Sequence, residues 1–392
     1  MKNLLKLNKK LLILSQCAPP AIGGIQNLYN LFINISPDDY FLLTNQINVT
    51  KNTGSKLPCK YFFYSKFLSK KSICFKLNIC FKLLKKLLGI IQGLKIIKNN
   101  KINILMGISD GGFSFLLTFT LAKLTKKPYI IYLFDLYKGN NLFGLGKKFS
   151  NFFEPILFKY ASQIIVTNEG TKNYYIKQYG NKISIKIIHN SAFSEFYKKY
   201  PTKYNPSSPY TILFTGHIYW PQEQSIRNLI QAIDKINDIN VKFILYTPNP
   251  SKDFVEEFKT HKKIEFKIAS QKEMPQIQSK ADILFLPLSW NTPAPDIIKT
   301  ASPGKLTDYL IAGRPILIHA PNYAYISQYA RQYNFAHVVK EENFELLKMG
   351  IKKLLFNNKY SKTLIYNAKK IFYKNHEALK NSKYLQNIIN KI

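Results

Sequence analysis

Acidic residues are scarce in this chain. It carries 22 Asp and Glu against 57 Lys and Arg, a formal net charge of +35 over 392 residues. So large an excess disfavours a basic partner and favours an anionic one: a lipid surface, a nucleic acid or a phosphate-bearing substrate. Arginine is nearly missing as well, at 227, 314 and 331 only. The abundance of Lys, Asn, Ile, Tyr and Phe suggests an AT-rich genome, but that bias does not by itself remove acids. Four cysteines (17, 59, 74 and 80) show neither CxxC nor metal-ligand spacing, which argues against a disulfide scaffold and a zinc cluster and fits a reduced, cytosolic protein. LLILSQC superficially resembles a lipoprotein cleavage site at Cys17, yet LLIL is too short for a signal core, and a first β-strand fits better. No apolar run reaches the roughly 18 residues that a spanning helix needs. Pro37-Asp38-Asp39 reads as a turn, and no metal is expected.

Short apolar runs alternate with longer helical patterns. In the first half, strands fit 11–15, 40–44, 102–106, 129–134, 163–167 and 185–188, with helices at 25–34, 73–98, 112–125, 147–160 and 170–179. Runs that are apolar throughout indicate parallel strands covered on both faces. YPTKYNPSSP (200–209) is a Pro/Ser/Asn break. Strands then fit 210–215, 241–246, 263–267, 283–287 and 315–319, with helices at 222–236, 252–259, 272–279, 302–312, 323–332 and 342–355, and a basic helical tail at 360–390. The expected fold class is α/β, with two Rossmann-like, doubly wound parallel-sheet domains at 1–203 and 204–370. A helical tail, 371–392, is expected to cross back to the first domain. Ligands of such sheets bind at the carboxyl ends of the strands, so the two domains are expected to face each other across a cleft.

The most informative stretch is SPGKLTDYLIAGRP (302–315). Ser302 suits an N-cap and Pro303 the first helical position. Gly304 leaves the first N–H groups uncovered. Lys305 places a cation in the first turn, where the helix dipole favours an acid; a bound phosphate would relieve that inversion. Asp308 lies one turn later on the same side, where a carboxylate could accept two ribose hydroxyls. Leu306, Tyr309 and Leu310 can face a core, and Gly313 with Pro315 ends the helix. An ordinary capped helix with a surface Lys305–Asp308 pair explains the same letters.

The stretch resembles the donor-site signature of the GT-B glycosyltransferases, specifically the large retaining family 4-like group of bacterial polysaccharide, lipopolysaccharide and lipid-linked-sugar enzymes. In that pattern a Lys-Leu-x-Glu-Tyr-Leu-x-x-Gly-x-Pro helix binds the nucleotide diphosphate and ribose. Asp308 replaces the glutamate, and Thr300 stands where the family often has a second one. APPAIGGIQN (18–27) is similar to the family's glycine loop, which implies that Gly23 and Gly24 admit the donor. The segment 164–192 resembles the end of the first domain, with Asn190 matching the motif's asparagine and His189 replacing its proline. ILFTGHIYWPQEQSIRNLIQAI (212–233) resembles the first strand, loop and helix of the donor domain. Gly216 sits at its loop, and His217 stands where better-known members carry cations. Lys305 is then the main phosphate cation, with Arg227 and Arg314 as weaker candidates. ASQKEMPQIQSKADILFLPLS (269–289) resembles the base-binding turn and strand, which implies a nucleobase near Ser270 and Gln271.

Asp135, in Phe134-Asp135-Leu136 at the end of a strand, is the candidate to orient the acceptor hydroxyl or take its proton; Asp110 is the alternative. Residues 60–86 interleave aromatics and lysines without one acid. Tyr61, Phe62, Phe63, Lys66, Phe67, Lys70 and Lys71 fit an interfacial anchor on anionic lipid. The following face (Leu77, Cys80, Phe81, Leu84, Leu87, Leu88, Ile91) is expected to pack on the sheet. The patch could bind nucleic acid, but no nucleic-acid motif accompanies it, and no such partner is expected. The resemblance implies a hexosyltransferase that retains configuration and needs neither cofactor nor metal. Its donor would be a nucleotide diphosphate sugar and its acceptor a glycan or polyprenyl-diphosphate-linked sugar, at the cytoplasmic face of the membrane. Two alternatives remain: an epimerase-like enzyme on the same scaffold, or a non-catalytic nucleotide-sugar-binding protein.

Overall fold

A computed structural model of the chain describes residues 4–20, 23–47, 55–64, 75–109, 113–138, 144–181, 183–200, 203–248 and 250–392. It divides into two compact units, 1–190 with 378–392, and 191–377. Residues 191–209 therefore belong with the second unit and the last helix with the first.

The first unit holds β1 (Leu11–Ala18), α1 (Gly24–Phe32), β2 (Tyr40–Ile47), β3 (Lys60–Phe63), α2 (Phe75–Asn99), β4 (Ile104–Ile108), α3 (Ser114–Thr125), β5 (Tyr129–Leu133), α4 (Gly144–Tyr160), β6 (Gln163–Val166), α5 (Glu169–Tyr179) and β7 (Ile185–Ile187). Its seven strands lie in the order β3-β2-β1-β4-β5-β6-β7, and every pair is parallel. Both faces are covered, which is why the strands are continuously apolar. Along β1, Leu11 and Ile13 enter one core and Leu12 and Leu14 the other. Each such side chain, fully buried, contributes about 1.5–3 kcal/mol.

The second unit holds β8 (Tyr210–Thr215), α6 (Trp220–Asp234), β9 (Val241–Tyr246), α7 (Lys252–Phe258), β10 (Ile264–Lys267), α8 (Met274–Lys280), β11 (Ile283–Pro287), α9 (Pro295–Thr300), α10 (Lys305–Ile311), β12 (Ile316–His319), α11 (Tyr325–Tyr333), β13 (His337–Val339), α12 (Phe344–Phe356) and α13 (Asn358–Ile371). A π-turn, Phe372–His376, follows α13, and α14 (Ala378–Lys391) then packs on α1 in the first unit. The parallel order β10-β9-β8-β11-β12-β13 reverses between β8 and β11. That reversal is the switch point where such sheets take ligands.

Several expectations change. β3, β13 and α9 were not legible as elements. Ser302 is not the cap of α10: the helix starts at Lys305, and Gly304, in a right-handed helical conformation, occupies the cap position without a side-chain bond. Pro303 O instead accepts the Leu306 N–H at 2.9 Å. The leucine stripe of α2 does not pack on the sheet. Leu84, Leu87, Leu88 and Ile91 are exposed, and Gly89, Gly93, Ile96 and Ile97 form the buried side. The glycines explain this, because they admit α3 closely: a Cβ at Gly93 would stand 2.4 Å from Leu121 Cδ1. The stripe's earlier members, Leu77, Cys80 and Phe81, have side chains outside the described residues.

Candidate functional site

β8 ends at Thr215 and runs into Gly216 and His217, at the switch point of the second sheet. Gly216 N–H still pairs with Tyr246 O of β9 at 2.9 Å. Its φ is +118°, a conformation that side chains rarely adopt. The space beside it belongs to Lys305: a Cβ on Gly216 would come within 3.1 Å of Lys305 Cε and 3.2 Å of Nζ. Lys305 Nζ also stands 3.6 Å from the centroid of the Phe214 ring. The amino group therefore reaches from the start of α10 to the end of β8.

Lys305 has no ion-pair or hydrogen-bond partner among the described residues, and the surface Lys305–Asp308 pair is not formed. Burial pushes its pKa down to about 7, and no carboxylate offsets it. Burial, and after it the charge of Lys305, lowers the pKa of His217. A half-buried cation with no anionic partner is costly unless an anion joins it.

Asp308, one turn further, is half-buried. Burial pushes its carboxyl up to about 6, and the neighbouring Tyr197 hydroxyl acts in the opposite direction. Tyr197 begins a buried polar chain. Its hydroxyl donates to Gln278 Oε1 at 2.6 Å, and Gln278 Nε2 donates to Thr215 Oγ1 at 3.2 Å. The Tyr309 hydroxyl lies 3.2 Å from Thr215 Oγ1 and accepts the Thr215 N–H at 2.9 Å. The chain thus ties the carboxylate of α10 to the strand residue just before Gly216. Tyr197 and Gln278 were missed by the sequence reading: the two are 81 positions apart, Tyr197 sits in no motif, and Gln278 lies within 269–289 but at no position the motif singles out.

The two strands that flank β8 carry further polar atoms near their carboxyl ends. Thr247 Oγ1, just past β9, and Ser289 Oγ, just past β11, are buried without a hydrogen-bond partner among the described residues. So is Gln271 Oε1. Each such atom costs about 1–3 kcal/mol if nothing satisfies it. Ser270, by contrast, is already engaged: its N–H and hydroxyl both donate to Glu273 Oε2, at 2.8 and 2.6 Å.

The remaining expected residues are placed as follows. Pro303 is half-buried and Gly304 is exposed, with open space where a Cβ would go, whereas Leu306 is a core residue. Thr300 is buried, and its hydroxyl donates to Asp296 O at 2.8 Å within α9. Arg227 bonds to Glu223 and Glu257, and the buried Arg314 bonds to Lys203 O and Gly313 O. Neither arginine is left to help Lys305. Among the described residues no His, Cys, Asp or Glu cluster could hold a metal.

In the first unit, Gly23 has φ +75° and open space beside it, but the room at Gly24 is taken by the Phe134 ring, 2.5 Å from where a Cβ would be. Asp135 is exposed just beyond β5. Its loop is fastened on both sides. Phe134 N–H donates to Ser109 Oγ at 2.7 Å, and Phe134 O accepts from Thr167 Oγ1 at 3.1 Å. Beyond it, Tyr137 N–H donates to the Tyr175 hydroxyl at 3.0 Å, and Lys138 Nζ pairs with the buried Glu154 at 3.2 Å. Asn190 closes the unit, half-buried. Tyr61, Phe62 and Phe63 form edge strand β3. Tyr61 donates to Pro19 O at 2.9 Å and packs on one core, while Phe62 packs on the other. Asp110, Lys66, Phe67, Lys70 and Lys71 lie outside the described residues.

No protein-family model and no curated protein matches the sequence. Solved structures do match the fold. The Anabaena protein HepE, in complex with UDP and glucose, superposes with a TM-score of 0.70 at 13% identity, over 98% of this chain and 100% of that one. Sucrose-phosphate synthase from Thermosynechococcus elongatus gives 0.72 at 12% identity, over 98% and 99%. The lipopolysaccharide outer core galactosyltransferase WaaB gives 0.63 at 13% identity, over 98% and 100%. With its seven- and six-stranded parallel sheets, the chain has the two-sheet α/β fold of the GT-B glycosyltransferases.

Proposed function

We propose that this chain is a GT-B glycosyltransferase that moves a hexosyl group from a nucleotide diphosphate sugar, without metal or cofactor and with retention of configuration. One observation carries the reading. Lys305 holds an amino group with no ion-pair or hydrogen-bond partner among the described residues at the end of β8, and the Asp308 carboxylate is fixed one turn away. The cation suits a diphosphate and its developing charge as the sugar leaves; the carboxylate suits ribose hydroxyls. Gly216 lets the backbone of the β8 loop come close, and the unsatisfied Gln271, Thr247 and Ser289 atoms offer polar partners to the rest of the nucleotide. On the acceptor side we assign Asp135, exposed on its fastened loop, to the reacting hydroxyl. A glycan or lipid-linked acceptor at the cytoplasmic membrane face fits the basic first unit. UDP-glucose is the first donor to test, because HepE binds UDP and glucose.

Calorimetric titration with UDP and with UDP-glucose tests the site. Lys305→Ala is expected to weaken UDP by about a hundredfold, the worth of a desolvated charge-assisted contact, and to abolish transfer to membrane-extract acceptors. Asp308→Ala should weaken UDP about tenfold. Unchanged binding and turnover in both variants would falsify the assignment. Wild-type binding of UDP-sugar with no transfer to any acceptor would instead favour a non-catalytic binding protein.

A further inference from the structure

α2 is attached by its glycine side and presents its leucines to solvent. Leu84, Leu87, Leu88 and Ile91 are 44%, 56%, 36% and 51% exposed. They stand at i, i+3, i+4 and i+7, which is one face of a helix. α4 adds exposed Phe149 and Phe152 on the same side of the sheet, since its Phe153 and the Ile96 and Ile97 of α2 share one core. Apolar side chains exposed together along one helix face, rather than scattered singly, mark an interaction surface.

Charge identifies what the face meets. α2 contains six lysines and no acid in its 25 residues, and exposed Lys95 and Lys98 continue the helix beyond the stripe. A second copy would bring two such helices together with no acid to offset them. Nucleic acid would supply the counter-charge, but it is gripped by stacking aromatics, and the α2 stripe is aliphatic. An anionic bilayer satisfies both parts. Lysines meet the headgroups, and leucine and isoleucine enter the acyl boundary with the helix in the interface plane. No helix among the described residues is long and apolar enough to cross a membrane.

We infer that the outward face of α2 docks the protein onto an anionic lipid surface through Leu84, Leu87, Leu88 and Ile91. This deepens the membrane part of the proposed function and does not depend on the donor site, because binding needs no nucleotide sugar. It adds α2 to the expected anchor of Tyr61, Phe62, Phe63, Lys66, Phe67, Lys70 and Lys71, of which the last four lie outside the described residues.

The test is sedimentation of the full chain with vesicles of phosphatidylcholine alone and of phosphatidylcholine with phosphatidylglycerol. The wild type should bind the second and not the first, and added salt should release it. Leu87→Ser with Ile91→Ser should weaken binding at least tenfold, with UDP affinity and melting temperature unchanged, since both side chains are exposed. Equal binding by wild type and double variant overturns the inference, as does failure of the wild type to bind anionic vesicles. Concentration-dependent dimerisation that the double variant abolishes would assign the face to a second copy. Displacement from vesicles by RNA, with the RNA affinity untouched in the double variant, would assign the charge to nucleic acid. Loss of UDP binding alone sinks the transferase reading and leaves this one standing.

Discussion

The first unit carries 31 basic residues against six acids, and the second 26 against 16. The difference reaches individual contacts. Of the eleven ion pairs among the described residues, two lie in the first unit and nine in the second. Apart from Lys138–Glu154, whose carboxylate is buried, such pairs near the surface are worth about 0–1 kcal/mol each, so their number says little about stability. It says much about background. In the first unit an unmatched lysine is the rule, and the excess acts as a diffuse field. In the second unit eight of the 16 acids are ion-paired among the described residues, and Lys305 is set apart by burial: it is half-buried with neither an ion pair nor a hydrogen bond there. The same residue type thus supports a surface argument in one unit and a site argument in the other.

The contrast is broken most sharply at Lys305, where the hundredfold loss of UDP affinity described above is the largest effect expected. If a lysine of the first unit, such as Lys98, mattered as much when changed to alanine, the distinction between site and field would fail.

The next effect is pH dependence, about tenfold per unit. In the free protein Lys305 is held down to about 7 by burial. A bound diphosphate favours the charged amine and raises that value. Below pH 7 the amine is already protonated and affinity is full. Above pH 7 binding must take up a proton, so affinity should fall by about a factor of ten per unit. Asp308 is held up at about 6, so affinity should also decline as the carboxylate protonates below that pH. UDP titration across this range, beside a Lys305→Arg variant whose charge does not titrate, separates the protein's groups from the nucleotide's own. Equal alkaline slopes in the two proteins would sink the account.

The fold was legible to the extent that burial writes itself into composition. Parallel strands covered on both sides are continuous apolar runs, so β1, β4, β5, β8 and β11 could be found directly. β3 and β13 are short edge strands, and KYFF was absorbed into a lysine-aromatic pattern. α2 misled for a different reason. Hydrophobic periodicity points to Leu84, Leu87, Leu88 and Ile91, but helices also pack through small residues, and glycine contributes nothing to that count. Lys305 and Asp308 were found because their spacing is local. Tyr197, Gln278 and Thr215 act over long separations, which no single stretch reveals.

The glycine side of α2 gives the third effect and tests whether the units respond independently. Gly93→Ala would place a Cβ 2.4 Å from the fully buried Leu121, an overpacking cost of about 1–3 kcal/mol. At Gly89 the nearest atom would be 3.4 Å away, so Gly89→Ala should be neutral or stabilise the helix by up to about 1 kcal/mol. Thermal denaturation distinguishes them, and UDP affinity should be unchanged in both. A fall in UDP affinity with Gly93→Ala would mean that the units are not separate in the sense the charge comparison requires.

The smallest effect, and the most diagnostic of the second unit, belongs to Tyr197→Phe. The change removes one hydroxyl from a buried chain, at about 1 kcal/mol, and UDP affinity near neutral pH should fall only a few-fold. Tyr197 holds the carboxyl of Asp308 down against the burial that raises it. Without that hydroxyl the carboxyl protonates at higher pH, and the acid limb of the binding profile should move upward while the alkaline limb, set by Lys305, stays in place. A loss of affinity equal at every pH would make Tyr197 a packing residue only. Movement of one limb alone would show that it positions Asp308, and that the second unit sets its charges individually where the first sets them in bulk.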